Sequence, residues 1–196
     1  MNRSLQIAVA DDEPDMQDYF RTILPQLGHK VVAVAGTGRE LVERCRATHP
    51  DLVITDIKMP DIDGIEAAAQ IYRDGPMPVI LVSAYHDAEF IRRAEEDHIL
   101  AYLVKPIKQS DLEPAISIAI RRFEQFQALC KEAADLKQAL EDRKTIEKAK
   151  GLLMKKTGLD EHDAFRRLQK LASDKNRKLI EIAQIILMAE EAYGRD

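Results

Sequence analysis

Short apolar runs alternate with longer amphipathic segments between residue 5 and about residue 108. The apolar runs are typical of strands and lie at residues 5–10, 31–35, 52–55, 79–83 and 101–104. The amphipathic segments predict helices at about residues 14–26, 38–48, 64–73 and 87–97. Five βα repeats with nearly all-apolar strands indicate a parallel sheet that helices cover on both faces. The expected fold class is therefore α/β, with a doubly wound five-stranded parallel sheet whose ligands bind beyond the carboxyl ends of the strands.

Helix-forming residues dominate from residue 110 to about residue 156, where Gly151 is the only glycine. This segment predicts one long helix or two nearly continuous ones. Two overlapping rows of apolar residues recur at spacings of three and four. The first row is Phe126, Leu129, Ala133, Leu136 and Leu140, and the second is Ile116, Ala119, Phe123, Phe126, Cys130 and Ala133. Such a seam predicts a coiled-coil homodimer through residues 116–140, and the alternative is that one row packs inside the chain.

Two more amphipathic helices follow the long one. Gly158 is expected to end the long helix, and Asp160 is a candidate N-cap for the next. With the end of the long helix they predict a small all-α three-helix bundle. We therefore expect three parts: residues 1–120, a coiled-coil linker at 121–140, and the bundle at 141–196.

The charge is unevenly distributed along the 196 residues. The whole chain carries 34 acidic and 29 basic residues, a net charge of −5, which predicts no strong attraction to nucleic acid or membranes. Residues 141–178 nevertheless contain 12 Lys or Arg and 7 Asp or Glu, a net charge of +5. A solvated helix surface would explain this basic segment, and so would binding to backbone phosphates.

Location is indicated by cysteine content and hydropathy. Cys45 and Cys130 both lie in helical patterns without metal-type neighbours, which fits a reducing cytosol. The first residues do not resemble a signal peptide, and no run approaches 18 apolar residues. We expect a cytoplasmic protein that does not enter a membrane.

Charged and hydroxyl side chains follow the predicted strands where each strand ends. Asp11 and Asp12 follow the first strand, and Asp56 follows the third. Ser83 ends the fourth strand, and Lys105 follows the fifth. Because the carboxyl ends of parallel strands share one edge of the sheet, these side chains are expected to converge.

The converging side chains suit phosphoryl chemistry. Three carboxylates held close together repel one another unless a cation intervenes, and carboxylate oxygens select a hard divalent ion such as Mg²⁺. Because Mg²⁺ uses only one or two carboxylates, a third is free to attack a phosphoryl group. The Lys105 ammonium and the Ser83 hydroxyl can then stabilise the transferred group.

Four motifs in order, ADDE, VITDIKMPDIDG, VSA and YLVKP, resemble the receiver domain of two-component response regulators over residues 1 to about 120. The resemblance implies a flavodoxin-like fold in which a sensor histidine kinase phosphorylates Asp56. It also implies that Asp11, Asp12, Asp56 and the Lys58 carbonyl hold Mg²⁺.

The same resemblance assigns a conformational switch. Ser83 and Lys105 sense the phosphoryl group, and Tyr102 is the aromatic residue that turns inward when the hydroxyl moves. The Lys105–Pro106 bond matches the cis peptide of the family.

The stretch DRKTIEKAKGLLMKKTGLDEHDAFRRLQKLA, followed by NRKLIEIAQIIL, resembles the ANTAR family of RNA-binding antitermination modules over roughly residues 135–192. The resemblance implies a three-helix bundle, dimeric when active, that binds paired RNA hairpins with small loops and prevents transcription termination. Ala149, Met154, Ala164 and Phe165 are expected to fill the core of the bundle. Candidate RNA contacts are Lys148, Lys150, Lys155, Arg166, Arg167 and Lys170.

These observations predict a response regulator rather than an enzyme, because no Ser/His/Asp grouping or Gly-rich phosphate loop is present. Two alternatives remain for the carboxy-terminal part. It is either a DNA-binding regulator of transcription or a module that only dimerises.

Overall fold

A computed structural model describes residues 3–84 and 99–193, and the chain divides into two compact units, Met1–Gln127 and Ala128–Asp196. The first unit contains five parallel strands in the order β2-β1-β3-β4-β5. The strands are β1 Gln6–Ala10, β2 Lys30–Ala35, β3 Leu52–Asp56, β4 Val79–Ser83 and β5 Ile99–Val104. This order and the parallel pairing confirm the predicted doubly wound α/β sheet.

Three helices of the first unit match their predicted positions, α1 Pro14–Gln26, α2 Gly38–Thr48 and α3 Gly64–Asp74. Thr37 and Asp63 cap α2 and α3 by accepting hydrogen bonds from backbone N–H groups in the first turn. The helix predicted at residues 87–97 lies outside the described residues. The next described helix is α4, Gln109–Thr157, which confirms the long helix. Pro114 lies near its start and removes the hydrogen bond that would reach the Ser110 carbonyl.

Apolar residues are buried on both faces of the sheet. On one face Ala8, Val53 and Leu81 pack with residues of α2 and α3. On the other, residues of β1, β3 and β4 pack with α1 and the start of α4, where Leu112 and Ala119 are fully buried. Two covered faces explain why the strands are apolar throughout instead of alternating with polar residues.

His29 is buried just before β2, where its Nδ1 accepts a hydrogen bond from the Leu5 backbone N–H at 3.3 Å. Burial lowers the pKa of His29 below its ordinary 6.5, against an opposing effect of the Glu113 charge. The unfolded chain therefore binds this proton more readily than the folded chain, and stability is lost as the pH falls through 6.5 towards the lowered pKa.

We predict that His29→Asn, which offers an amide oxygen in place of Nδ1, will flatten the loss of stability between about pH 8 and pH 5. Urea unfolding followed by tyrosine fluorescence measures this, because four of the five tyrosines lie in the first unit. Equal losses in the variant and the unchanged protein over this range would contradict the prediction.

The second unit contains the end of α4 and two further helices, α5 Glu161–Asp174 and α6 Leu179–Tyr193. Gly158, at φ +69°, ends α4, and Asp160 caps α5 through a 2.8 Å hydrogen bond from the Asp163 N–H. The buried core contains Leu168, Ala172 and Ile182. The predicted three-helix arrangement is therefore confirmed.

Two of the four residues expected in the bundle core are fully buried, Ala149 and Ala164, whereas Met154 and Phe165 are only half-buried. α4 is continuous through residues 120 and 140, so the three-part division at those positions stays a prediction. Among the described residues, no helix is both long enough and apolar enough to cross a membrane.

Candidate functional site

Four carboxylates gather at the carboxyl ends of β1 and β3. These neighbouring strands run parallel, with Ala10 opposite Thr55, so the residues that follow them meet at one edge. Asp11 and Asp56 are buried, whereas Asp12 and Glu13 are exposed. Each offers an oxygen within 4.8 Å of the others. The structure thus brings together the three aspartates predicted from the strand ends and adds Glu13.

The ammonium group of Lys105 lies at the centre of this cluster. Its Nζ is 2.9 Å from each of three carboxylate oxygens, Asp11 Oδ2, Glu13 Oε1 and Asp56 Oδ2. Burial lowers the pKa of Lys105, but its contacts with Asp56, Asp11 and Glu13 raise that pKa more, so the net shift is upward. Lys105 therefore remains a cation at any physiological pH.

Glu13 was not among the predicted site residues. It precedes Pro14 at the start of α1, where an acidic residue is usually an N-cap, but its side chain makes no capping hydrogen bond. It pairs with Lys105 instead. Its place directly after Asp11 and Asp12 was the signal that could have identified it.

Each carboxylate oxygen of Asp11 and Asp56 has its own contact. Asp11 Oδ1 accepts a 3.0 Å hydrogen bond from the Glu13 N–H, and Asp56 Oδ1 accepts a 2.7 Å bond from the Ile57 N–H. Asp11 Oδ2 is buried and touches Lys105 without the angles of a hydrogen bond. Burial, aided by the Asp56 charge, raises the pKa of Asp11 despite the lowering effects of Lys105 and the Glu13 N–H.

This donor set fits a magnesium ion. A desolvated carboxylate oxygen with an unfilled hydrogen-bonding position, surrounded by like charges, is stabilised by a divalent cation. Among the residues that the structure describes, the cluster offers only carboxylate ligands, which is the preference of Mg²⁺.

Ser83, Tyr102 and Lys58 lie around the cluster. Ser83 is buried at the end of β4, and its carbonyl accepts a 2.8 Å hydrogen bond from the Lys105 N–H. Tyr102 is half-buried in β5, packed against the core beneath α2 and α3. Lys58 is exposed in the loop after Asp56, and the Lys105–Pro106 bond is cis. The assigned roles of these residues stay predictions.

The loop after Asp56 is anchored at Gly64. The Gly64 N–H donates a 2.9 Å hydrogen bond to the Ile57 carbonyl. A methyl group at Gly64 would overlap the Asp56 carbonyl oxygen, which is backbone and cannot turn aside. Only glycine allows α3 to begin this close to the candidate phosphoacceptor.

We predict that Gly64→Ala will lower the free energy of unfolding by about 2–3 kcal/mol, because the loop must shift to relieve the overlap. Gly75→Ala is the matched control, since nothing lies within 4 Å of its added methyl, and a change under about 0.5 kcal/mol is expected. Urea unfolding of both variants checks this, and equal losses would refute a special role for Gly64.

The predicted RNA contacts of the second unit fall into two groups. Five are exposed, Lys148, Lys155, Arg166, Arg167 and Lys170. Lys150 is buried, and its Nζ lies 2.5 Å from Glu147 Oε2 and 2.7 Å from Glu161 Oε1. These two contacts raise the pKa of Lys150 and join α4 to α5. Lys150 is thus engaged within the unit, and its role as an RNA contact stays a prediction.

Comparison with known proteins agrees with both units. The family model of the response regulator receiver domain matches residues 7–117, and that of the ANTAR domain matches residues 134–187. The transcriptional regulatory protein PdtaR of Mycobacterium tuberculosis is 40% identical over 182 residues, which cover 93% of this chain and 89% of the relative.

Solved structures resemble the first unit. The signal receiver domain of a modulated diguanylate cyclase from Desulfovibrio desulfuricans G20 has a TM-score of 0.59 at 27% identity, covering 63% of this chain and 98% of that one. A response regulator receiver domain protein from Clostridium thermocellum has a TM-score of 0.57 at 30% identity, covering 62% of this chain and 98% of its own.

Receiver domains typically bind Mg²⁺ at an acidic pocket, and the Asp/Glu cluster described above is such a pocket. A receiver domain implies a histidine kinase as partner, and an ANTAR domain implies RNA binding. This chain belongs to the two-component response regulators, with a receiver domain followed by an ANTAR output domain.

Proposed function

We propose that a sensor histidine kinase phosphorylates Asp56, and that the phosphorylated protein dimerises and binds RNA hairpins to prevent transcription termination. One observation carries the proposal. A buried carboxylate at the end of β3 is held by a lysine from the end of β5, inside a cluster of three further carboxylates. This action on nascent transcripts places the protein in the cytoplasm.

The geometry supports attack by Asp56 on a phosphohistidine. The Ile57 N–H fixes Asp56 Oδ1 and Lys105 fixes Oδ2, so the carboxylate is oriented before the phosphoryl donor arrives. As an Asp56 oxygen bonds to phosphorus, the N–P bond breaks, and the imidazole nitrogen keeps the electron pair. Lys105 and the Ser83 hydroxyl stabilise the charge on the transferred phosphoryl oxygens.

Asp11, Asp12 and Asp56, with the Lys58 carbonyl, are the residues proposed to hold Mg²⁺. When bound, the ion neutralises charge on the carboxylates and on the phosphoryl oxygens. Glu13 lies beside this set and is available to balance the charge of Lys105.

Phosphorylation is proposed to act through the Lys105 contacts. Phosphorylation replaces the single negative charge of the Asp56 carboxylate with roughly −1.5 to −2 charges on the phosphoryl oxygens, which draws Lys105 and Ser83 towards them. Lys105 then weakens its contacts with Glu13 and Asp11, and Tyr102 moves inward as Ser83 shifts. Lys105 is only four residues before the start of α4. These movements are therefore proposed to reach the helix that contains the two apolar rows.

Apolar residues of α4 provide the proposed dimer interface. The helix face that is buried at Leu112, Ala115 and Ala119 continues at seven-residue steps into the first apolar row. Beyond the sheet Leu129 of this row is 64% exposed and Leu136 is 65% exposed. In the second predicted row, Ile116 and Ala119 are buried in the core of the first unit. The first row alone continues past the sheet with exposed leucines, so it is the one that a second copy is proposed to cover.

Charges beside the first row favour two parallel copies in register. Phe126, Ala133 and Leu140 take heptad position a, and Leu129 and Leu136 take position d. Glu132 then falls at position g and Lys137 at position e. In a parallel coiled coil, a g residue faces the e residue five positions later in the other helix. Glu132 of each copy would thus face Lys137 of the other, giving two opposite-charge pairs per dimer.

Dimerisation would present two basic bundles to two hairpins. The exposed residues Lys148, Lys155, Arg166, Arg167 and Lys170 are proposed to contact RNA phosphates, whose counterions are released on binding. Binding of the second bundle becomes intramolecular once the first is bound, which raises the overall affinity. Because the linkage is reciprocal, RNA should also favour the phosphorylated dimer.

Competition between nucleic acids tests the output function. The phosphorylated full chain is bound to a labelled RNA with two small-loop hairpins in about 0.15 M salt, and unlabelled RNA or duplex DNA of equal length is added. We expect RNA to compete and DNA to fail. Stronger competition by DNA would indicate a DNA-binding regulator, and no salt-dependent binding of either would indicate a module that only dimerises.

A further inference from the structure

Phe165 occupies an unexpected place in the second unit. It is the only aromatic residue between Phe126 and Tyr193, and an aromatic side chain in a small bundle normally belongs to the core. Here it is half-buried, and it is not among the residues packed on the core of Leu168, Ala172 and Ile182. The neighbouring residue, Ala164, is fully buried instead.

The ring lines two openings in the bundle surface, each of about 420 Å³. α4 contributes to both through Glu147, and Leu179 at the start of α6 closes one of them. We call these two openings together the Phe165 recess. Its remaining polar residues are Asp142, Arg143, Lys150, Glu161 and His162.

The charge of the Phe165 recess differs from that of the surface beside it. Asp142, Glu147 and Glu161 outnumber Arg143 and Lys150, and Lys150 is already engaged by two of these carboxylates. A phosphate would be repelled here. Arg166, the next residue along α5, is exposed and basic and can take a phosphate just outside.

We propose that the Phe165 recess receives one unpaired base of an RNA hairpin loop, stacked on the ring of Phe165. This inference rests on the proposed RNA binding and adds the residue that recognises a base of the hairpin loop. Loop bases are commonly recognised by stacking on aromatic rings. A base is uncharged and carries N–H donors on its edge, which carboxylates accept, so an aromatic ring lined by acidic residues suits a base better than a phosphate.

A second copy of this chain is the competing occupant of the Phe165 recess. The exposed apolar row of α4 ends at Leu140 on the amino-terminal side of the recess, and half of the residues that line the recess are charged. An interface between copies would remove these charges from water, at a cost in free energy. The loop base is therefore the favoured occupant.

A double-mutant cycle with the full phosphorylated chain tests the proposal. Two-hairpin RNAs are first selected on the unchanged protein from a pool with random loops, and each loop base is then replaced in turn by an abasic nucleotide. The protein variants are Phe165→Leu, which keeps apolar volume without a ring, and Phe165→Tyr, which keeps the ring. Arg166→Gln serves as the matched control for a phosphate contact.

Phe165→Leu is expected to weaken RNA binding about tenfold, as loss of one stacked base does, and Phe165→Tyr to restore it. When one loop position is abasic in both hairpins, the RNA should show the same loss, with no further loss when this change and Phe165→Leu are combined. The slope of log affinity against log salt should be unchanged in Phe165→Leu. It should fall by about two in Arg166→Gln, because each of the two bundles loses one phosphate contact.

A crosslinking measurement covers the case in which Phe165→Leu does not fold. The unchanged protein is irradiated with RNA carrying 5-iodouracil at successive loop positions, and the crosslinked peptide should contain Phe165.

The outcomes separate the two proposals. If RNA binds with loop dependence but no loop base couples to or crosslinks with Phe165, the base site is wrong and RNA binding stands. If RNA binds no better than duplex DNA, the proposed function itself fails.

Discussion

Asp56→Asn should reduce phosphoryl uptake from acetyl phosphate plus Mg²⁺ to background. The amide keeps the shape of the carboxylate, and its oxygen can still accept the Ile57 N–H, but it is a far weaker nucleophile than a carboxylate. Intact-mass measurement of the full chain detects the added phosphoryl group directly. Because phosphorylation is proposed to drive dimerisation, the variant should also show no gain in RNA affinity on treatment with acetyl phosphate.

Asp74→Asn is the matched control for this result. Asp74 ends α3 and pairs with Arg46 at the surface, so its loss removes a carboxylate without touching the cluster around Lys105. Uptake should be unchanged. Magnesium-dependent uptake that persists in Asp56→Asn, at the rate of the control, would show that another residue is the phosphoacceptor.

Acidic residues placed in the first apolar row of α4 should prevent dimerisation. Leu129→Asp combined with Leu136→Asp puts four acidic side chains at adjacent d positions of a parallel dimer, where they would be buried and would repel one another. We expect the phosphorylated variant to stay monomeric and to lose RNA affinity by about 100-fold or more, because the two bundles are no longer linked. Sedimentation velocity and RNA titration measure the two effects.

Ala134→Asp combined with Gln138→Asp is the control for charge alone. Both residues are exposed on α4 but lie on the side away from the seam, at heptad positions b and f. The control should dimerise and bind RNA like the unchanged protein. If the seam variant still dimerises on phosphorylation, another surface forms the dimer and the account of α4 is wrong.

The acidic cluster around Lys105 could be predicted from sequence because parallel topology places residues distant in the chain at one edge. Asp56 and Lys105 are 49 positions apart, yet each directly follows or ends a strand of the same sheet, and strand ends are readable from apolar runs. Glu13 was missed because an acidic residue before a proline also has a local explanation as a helix cap.

The second unit was less predictable because contacts between its helices are not encoded in periodicity. Lys150 is a charged residue and was therefore expected at the surface, and its contact with Glu161 of α5 became visible only with the helices packed. Phe165 likewise follows the apolar pattern of α5, although it lies at the rim of the bundle. Which of the two apolar rows of α4 is proposed to meet a partner also depended on how far each row is buried, because Ile116 of the second row lies in the core of the first unit.

Phosphorylation of Asp56 is proposed to control RNA binding through a dimer. This proposal can be tested by sedimentation velocity of a fluorescent two-hairpin RNA, mixed with the full chain before and after treatment with acetyl phosphate and Mg²⁺. Phosphorylation should produce a complex of two chains on one RNA and should increase the affinity. If the same complex forms with the same affinity in both states, phosphorylation does not control RNA binding.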